Sequence, residues 1–299
     1  NEKYLGLLRV SPKLSNAIIN SRFVKKNLNI TTERQLPNLQ KKSFKSWLKK
    51  QKPLSHKNQK SVYLFIDEFT NSYDVSIGID TYELLEKLGF NILIINNVSS
   101  GRSQISKGFL KEAKVLANKN INLFKDVLSN NMPLIGIEPS TILTFRDEYL
   151  RLANNLDSAK KVAKYTFTIE EFLASEIALG NIKSNKFTSE YQTIKIHTHC
   201  HQKSLSQSKA TFDMLNIPKN YSVSLMNTGC CGMAGSFGYE KEHYAISMQM
   251  GENSVFPKVR NTDIKTILAV AGTSCRHQIK DGTKRESQHP ISILRDALL

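Results

Sequence analysis

Apolar residues in this chain cluster in short dense runs separated by amphipathic stretches. Ser61 to Asp67 (S-V-Y-L-F-I-D) has the apolar density and length of a buried strand. Asp80 to Leu88 carries Tyr82, Leu84, Leu85 and Leu88 and stops at Gly89, which predicts an amphipathic helix with a glycine terminus. Asn91 to Ile95 reads as the next strand, Ser99-Ser100-Gly101 as a turn and Lys107 to Leu128 as mainly helix. Pro133 to Ile137 reads as a third strand, ending in Glu138-Pro139-Ser140. Arg146 to Ala178 reads as largely helical. From Thr193 the order recurs: strand Thr193–Ile196, helix Leu205–Leu215 stopped by Pro218, strand Ser222–Met226, helix Tyr239–Met250, strand Thr266–Val270.

Strand and helix alternating in this way predict an α/β fold of two pseudo-repeated parallel βαβ units, preceded by a helical arm. The expected division is 1–60 arm and linker, 61–150 first unit, 151–192 helical connector and 193–299 second unit. In the arm, Leu5, Leu7, Leu8, Leu14, Ile18 and Ile19 suit short amphipathic helices, and Gln35-Leu36-Pro37 marks a break. Phe44, Trp47 and Leu48 share helical spacing, with Trp47 expected to pack on the body. Lys49 to Lys60, with Pro53, reads as a polar linker.

The two units align directly. Ile94–Gly101 lies 131 positions before Leu225–Gly232, and Ser106–Glu112 lies 130 before Ser236–Glu242. On this alignment Phe69 falls where Cys200 does, Ser99-Ser100 where Cys230-Cys231 do, and Ser140 where Cys275 does. The strand ends of each unit are expected to converge on a pocket of their own. Serine and phenylalanine are poor ligands for a soft metal, so the second unit alone is expected to carry a thiolate site.

Charge and composition narrow the class. The chain has 299 residues and a formal net charge of +16, with 40% hydrophobic residues, an ordinary share for a globular protein. The lysines are spread over the whole chain, many beside Asn and Ser on solvated faces, which predicts weak attraction to anions and no specific nucleic-acid recognition. No apolar run nears the roughly 20 residues of a transmembrane helix, and no signal-peptide pattern opens the sequence. A reduced cytoplasmic protein is expected, peripheral to the inner membrane at most, without a disulfide framework.

The candidate chemistry lies between His197 and His289. All four cysteines fall there, in H-T-H-C-H-Q-K (197–203), G-C-C-G-M-A-G-S-F-G (229–238) and G-T-S-C-R-H-Q-I (272–279). Ligands of parallel α/β units sit beyond the carboxyl ends of strands, and Cys200, Cys230, Cys231 and Cys275 each follow a predicted strand end. Four thiols so placed suit zinc or an iron–sulfur cluster, with glycines allowing the backbone to approach. Five of the seven histidines lie in or close after these segments: His197, His199, His201, His243 and His277. Of these, His199, His201 and His277 are reserve ligands, and His243 reads as a surface residue on a helix. The glycine spacing from Gly232 is not a dinucleotide fingerprint, because no matching acidic residue follows. Glu138 and Arg146 are candidates to face a ligand or a partner domain. Redox sensing by Cys230-Cys231 is disfavoured, since vicinal cysteines close a strained ring.

Cys200-His201, Cys230-Cys231-Gly232 and Cys275 resemble the cysteine-rich CCG domain of iron–sulfur oxidoreductases such as heterodisulfide reductase. That domain usually ends in Cys-x-x-Cys. Here Cys275 matches the second cysteine and Gly272 stands at the first. The stretches D-E-F-T-N (67–71), G-I-E-P-S (136–140), T-F-R-D-E-Y (144–149), H-C-H-Q-K (199–203) and C-C-G-M-A-G-S-F-G-Y-E-K-E-H (230–243) resemble the C-terminal part of bacterial FAD-linked oxidases of the D-2-hydroxyglutarate and D-lactate dehydrogenase type. L-S-N near Ser15 and R-Q-L-P near Pro37 fit the same pattern. The resemblance implies an iron–sulfur-bearing module of a flavin-dependent 2-hydroxyacid dehydrogenase, serving electron transfer. It further implies partners in the FAD-binding and ferredoxin-like regions of the parent enzyme, FAD only in those regions, a homo-oligomer, and an isolated chain without dehydrogenase activity. The alternative is a zinc-bound or metal-free docking or oligomerisation domain of that enzyme.

Overall fold

The structure is a computed structural model and describes residues 6–51 and 60–299. Leu5 and most of the expected polar linker lie outside the described residues. The fold is α/β with two sheets whose strands are all parallel. The first sheet is ordered β2-β1-β3-β4, from β1 (Ser61–Phe65), β2 (Asn91–Leu93), β3 (Leu134–Gly136) and β4 (Thr166–Thr168). The second is ordered β6-β5-β7, from β5 (Gln192–His197), β6 (Tyr221–Leu225) and β7 (Ile267–Val270). The shared 2-1-3 order gives the two halves the same winding, as the aligned sequences led one to expect.

β4 is a strand that the helical reading of Arg146 to Ala178 did not contain. Three residues, Thr166-Phe167-Thr168, are too few for a periodicity to register. Thr168 both ends the strand and caps the helix Ile169–Ala178 in a capping box with Glu171. The second half keeps a remnant of it: Gln288 makes a single parallel bridge to Ala269, and His289 caps the helix Pro290–Asp296.

The halves pack reciprocally. Helix Ile169–Ala178, from the first half, packs on Ser208–Leu215 of the second. Helix Pro290–Asp296, from the second, packs on Val75–Leu88 of the first. One core runs between the sheets and takes Val62, Leu64 and Ile135 from one and Ile194, Ile196 and Ala269 from the other. The opposite faces have separate cores, one around Phe65, Phe124 and Phe145, the other around Cys231, Val255, Phe256 and Cys275.

The arm joins both halves. Helix Phe44–Leu48 stacks Trp47 on Phe44 at 5.8 Å and edge-on to Tyr82 at 5.5 Å, so Trp47 packs on the body as expected. Arg34 is buried in the second half, bonded to Asp281 at 3.0 Å and lying over the Tyr244 ring at 5.2 Å. Between these anchors Asn16 and Asn20 tie down the chain: Asn16 bonds both backbone groups of Leu39, and Asn20 accepts from the Leu36 N–H at 2.7 Å. The break at Gln35-Leu36-Pro37 is thus an extended segment held by side chains.

No helix among the described residues is long and apolar enough to cross a membrane.

Candidate metal centre at the strand ends

Each thiol owes its position to a strand end. Cys200 opens the helix Cys200–Leu205, which follows β5 and is capped by His199 with Gln202 as its reciprocal partner. Cys275 sits in the first turn of Thr273–Thr283, after β7, where the positive end of the helix dipole favours thiolate. Cys230 and Cys231 lie in the loop after β6, which turns sharply at Gly232, φ +92°. A Cβ at Gly232 would stand 2.3 Å from the Ser247 carbonyl oxygen, so only glycine lets this loop press onto its neighbours.

The four thiols, all free, converge into a row. Cys231 donates to Cys275 across 3.3 Å between sulfurs, and Cys230 lies near enough to Cys200 and Cys231 for each to shift the other's proton affinity. Protons divide unequally along the row. The neighbouring Cys230, with burial, pushes the Cys200 thiol up. Cys200, Cys231 and the Gly232 N–H hold Cys230 well below the usual thiol range. Cys231 is raised by Cys230, by its bond to Cys275 and by burial, and Cys275 is lowered by its bond from Cys231 and then by His197. Cys230 and Cys275 therefore carry the thiolate character that metal binding needs.

The reserve histidines are placed less uniformly. His199 uses Nδ1 to accept from the His201 N–H at 3.2 Å, and its ring lies where a side chain at Gly272 would go: a Cβ there would be 2.3 Å from His199 Cδ2. His201 stacks on His199 at 5.2 Å between ring centres and approaches Arg102 Nη1 at 3.4 Å. His277 meets the Tyr239 hydroxyl at 2.7 Å. His243 stacks on Phe237 at 4.1 Å and pairs with Glu240, in line with a packed surface role. The histidine nearest the sulfurs is His197, whose ring lies with Cys231 and Cys275 such that one ligand atom from each falls within 4.8 Å of the others. The H-T-H-C-H alternation flagged His197, but adjacency to cysteine in sequence favoured its neighbours.

Strand faces correct the alignment of the halves. Val62 and Leu64 share the central core with Ile194 and Ile196, so Phe65 stands level with His197, and the caps Asp67 and His199 coincide. Glu68, not Phe69, is therefore the counterpart of Cys200. A shift of one residue would put each side chain on the wrong face. Likewise Ile135 and Ala269 share the core and the caps Glu138 and Gly272 coincide, which sets Thr141, not Ser140, opposite Cys275. Ser99 and Ser100 remain opposite Cys230 and Cys231.

The strand ends of both halves line one cavity of about 580 Å³, in place of the two separate pockets that duplication suggested. Its lining includes the four cysteines, the apolar side chains of Phe69, Tyr73, Leu36 and Pro37, and the cations Arg102 and Lys107. Glu138 and Arg146 join the halves. Glu138 accepts from the Thr273 N–H at 2.9 Å and from its hydroxyl at 3.0 Å, capping the helix that carries Cys275. Arg146 forms a two-pronged pair with Glu171 and bonds the Leu205 carbonyl.

Curated relatives of the chain are dehydrogenases and proteins allied to them. The D-2-hydroxyglutarate dehydrogenase of Escherichia coli (strain K12) is 26% identical over 315 residues, covering 99% of this chain and 30% of that protein. These proteins are homologues of the chain. A subunit of the anaerobic glycerol-3-phosphate dehydrogenase from the same organism is 24% identical over 91% of the chain and 67% of its own length. Lactate utilization protein A of Bacillus subtilis (strain 168) is 25% identical over 65% of the chain and 80% of its own. The chain spans less than a third of the D-2-hydroxyglutarate dehydrogenases it matches, at 22%, 24% and 30% of their lengths. No protein-family model matches it.

Proposed function

We propose that the chain is the metal-bearing, electron-transferring module of a flavin-dependent 2-hydroxyacid dehydrogenase, with Cys200, Cys230, Cys231 and Cys275 holding an iron–sulfur cluster. The observation that carries this reading is the convergence of all four thiols from three strand ends into one row beside a cavity. The donor set fits such a cluster, which when bound supplies one-electron transfer. The protein's part is to shift Cys230 and Cys275 towards the thiolate form, to bury Cys231 and Cys275, and to leave Cys200 and Cys230 half-buried. The similarity to dehydrogenases and to one component of a multi-subunit dehydrogenase supports the electron-transfer role. The hydroxyacid and flavin belong to the FAD-binding region of the parent enzyme, so purified chain is expected to turn over neither D-2-hydroxyglutarate nor D-lactate.

One observation favours a second reading, a structural zinc site. The Cys231 and Cys275 sulfurs are 3.3 Å apart with His197 beside them, which is the compass of donors around a single ion. Thiolates bound tetrahedrally at about 2.3 Å stand about 3.8 Å apart. Anaerobic purification with metal and acid-labile sulfide analysis separates the two. Iron with sulfide and broad visible absorption supports electron transfer. Stoichiometric zinc without colour replaces it with the structural site.

A further inference from the structure

His197 is the last residue of β5, the central strand of its sheet, and is 1% exposed. Its backbone is level with Val270 at the end of β7, the strand that leads to Cys275. Ile194 and Ile196 point into the core between the sheets. His197, one residue on, faces the other way, towards the cluster of Cys231, Val270 and Cys275.

The ring is set by one hydrogen bond. Nδ1 lies 2.7 Å from Thr228 Oγ1, and that hydroxyl is directed at the Met226 carbonyl at 3.4 Å. A hydroxyl that donates to a carbonyl accepts from the ring, so Nδ1 carries the proton and Nε2 offers a lone pair. Nε2 is buried without a well-formed hydrogen bond, the ring standing against the Cys275 sulfur, whose acidity it raises. Leaving such an atom unsatisfied costs about 1–3 kcal/mol. An imidazole whose far nitrogen is fixed by a hydroxyl, and whose near nitrogen is turned towards the thiols, has the arrangement of a metal ligand with its orienting partner.

The first half shows what the position does without thiols. Level with His197 stands Phe65, which packs edge-on against Phe145 at 5.2 Å and Phe124 at 6.3 Å. Level with Thr228 stands Asn97, which bonds the Ile66 backbone instead of a ring. The fold thus accepts a purely apolar residue here, and of the two halves only the thiol-bearing one has a nitrogen donor. Gly272 offers no side-chain donor beside Cys275, and the His199 ring, which fills the space where a side chain there would go, spends Nδ1 on its helix cap.

We infer that His197 is a direct ligand, through Nε2, of the metal held by Cys231 and Cys275. The inference rests on the metal-site reading above and deepens it: the centre has mixed nitrogen and sulfur ligation, with Cys230 and Cys200 as its half-buried donors. Thr228 is a positioning residue that keeps the ring in the required tautomer.

The test is X-ray absorption at the edge of whichever metal anaerobically purified full chain retains, or takes up on reconstitution with iron and sulfide or with zinc. The expected spectrum contains the outer-shell scattering pattern of one coordinated imidazole. His197→Ala should lose that pattern, and His199→Ala and His201→Ala should keep it. Should His197→Ala fail to fold, the unmodified chain still decides the matter, because a histidine that only hydrogen-bonds a sulfur gives no imidazole scattering. A metal-loaded chain with sulfur scattering alone overturns the inference and leaves the metal site standing. A pattern that survives in His197→Ala also overturns it. A chain that binds neither iron nor zinc overturns the inference and the metal-site reading together.

Discussion

The halves of this protein are wound alike and chemically opposite at their strand ends. Where the second has Cys200, the first has Glu68, and where the second has Cys231, the first has Ser100. In the first half these two hydrogen-bond each other: the Glu68 carboxylate accepts from the Ser100 N–H at 2.9 Å and from its hydroxyl at 2.8 Å. A carboxylate–hydroxyl contact thus fills the space that thiols fill in the other half, and it satisfies itself without a ligand. Glu138, level with Gly272, is turned to a different use, reaching across to cap the helix that carries Cys275. The comparison teaches that the first half is a support built from the same strand ends. Its acids bond their own strand-end serine and brace the other half.

The largest test of this contrast is Cys231→Ser. Removing a buried sulfur donor should cut metal affinity more than about tenfold, and metal binding is coupled to folding, so the melting temperature should fall with it. Metal analysis and thermal unfolding read both effects. Retained metal would place the centre elsewhere.

Asp67 gives the next effect, and it belongs to the first half alone, since His199 stands at its place in the second. Burial, with the charges of Glu68 and Glu138 nearby, raises its pKa to about 8. The folded state therefore holds a proton that the unfolded chain releases near pH 4. The stability it contributes is complete below that pH and is lost as pH rises towards 8, with a slope up to about 1.4 kcal/mol per pH unit. Asp67→Asn mimics the protonated form and should flatten this part of the stability curve, measured by urea unfolding from pH 4 to 8. An unchanged slope would show that Asp67 is ionised throughout.

Glu138→Gln weakens the brace between the halves. Losing a charge-assisted cap on the Thr273 N–H and hydroxyl should cost about 1.5–3 kcal/mol in urea unfolding. A cost near zero would mean that the cap is dispensable. Gly272→Ala should cost about 1–3 kcal/mol because its Cβ would strike the His199 ring, and His199→Ala in the same chain should recover part of it. Additive losses would show that the two positions do not compete for space. The smallest effect belongs to Ser100→Ala, which removes one hydroxyl contact to Glu68 and should cost about 1 kcal/mol while leaving metal content unchanged.

Much of this was legible in the chain. The density of S-V-Y-L-F-I-D, the glycine stop at Gly89, and the repetition of strand and helix after Thr193 specify six of the seven strands among the described residues and the parallel winding, because apolar periodicity is local information. The clustering of Cys200, Cys230, Cys231 and Cys275 at strand ends was also a sequence property, since parallel strands must present those ends on one edge. Tertiary structure decided the rest. β4 is three residues long and exists because β3 offers an edge to pair with. The register between the halves, and with it the pairing of Glu68 with Cys200 and Phe65 with His197, depends on which face each strand turns to a core made by both sheets, and a one-residue offset is invisible to alignment of such divergent repeats. Only the fold could choose among five histidines, because ring direction and the state of the far nitrogen are set by partners distant in sequence. Thr228 holds His197 and Tyr239 holds His277, contacts that no spacing within H-T-H-C-H encodes.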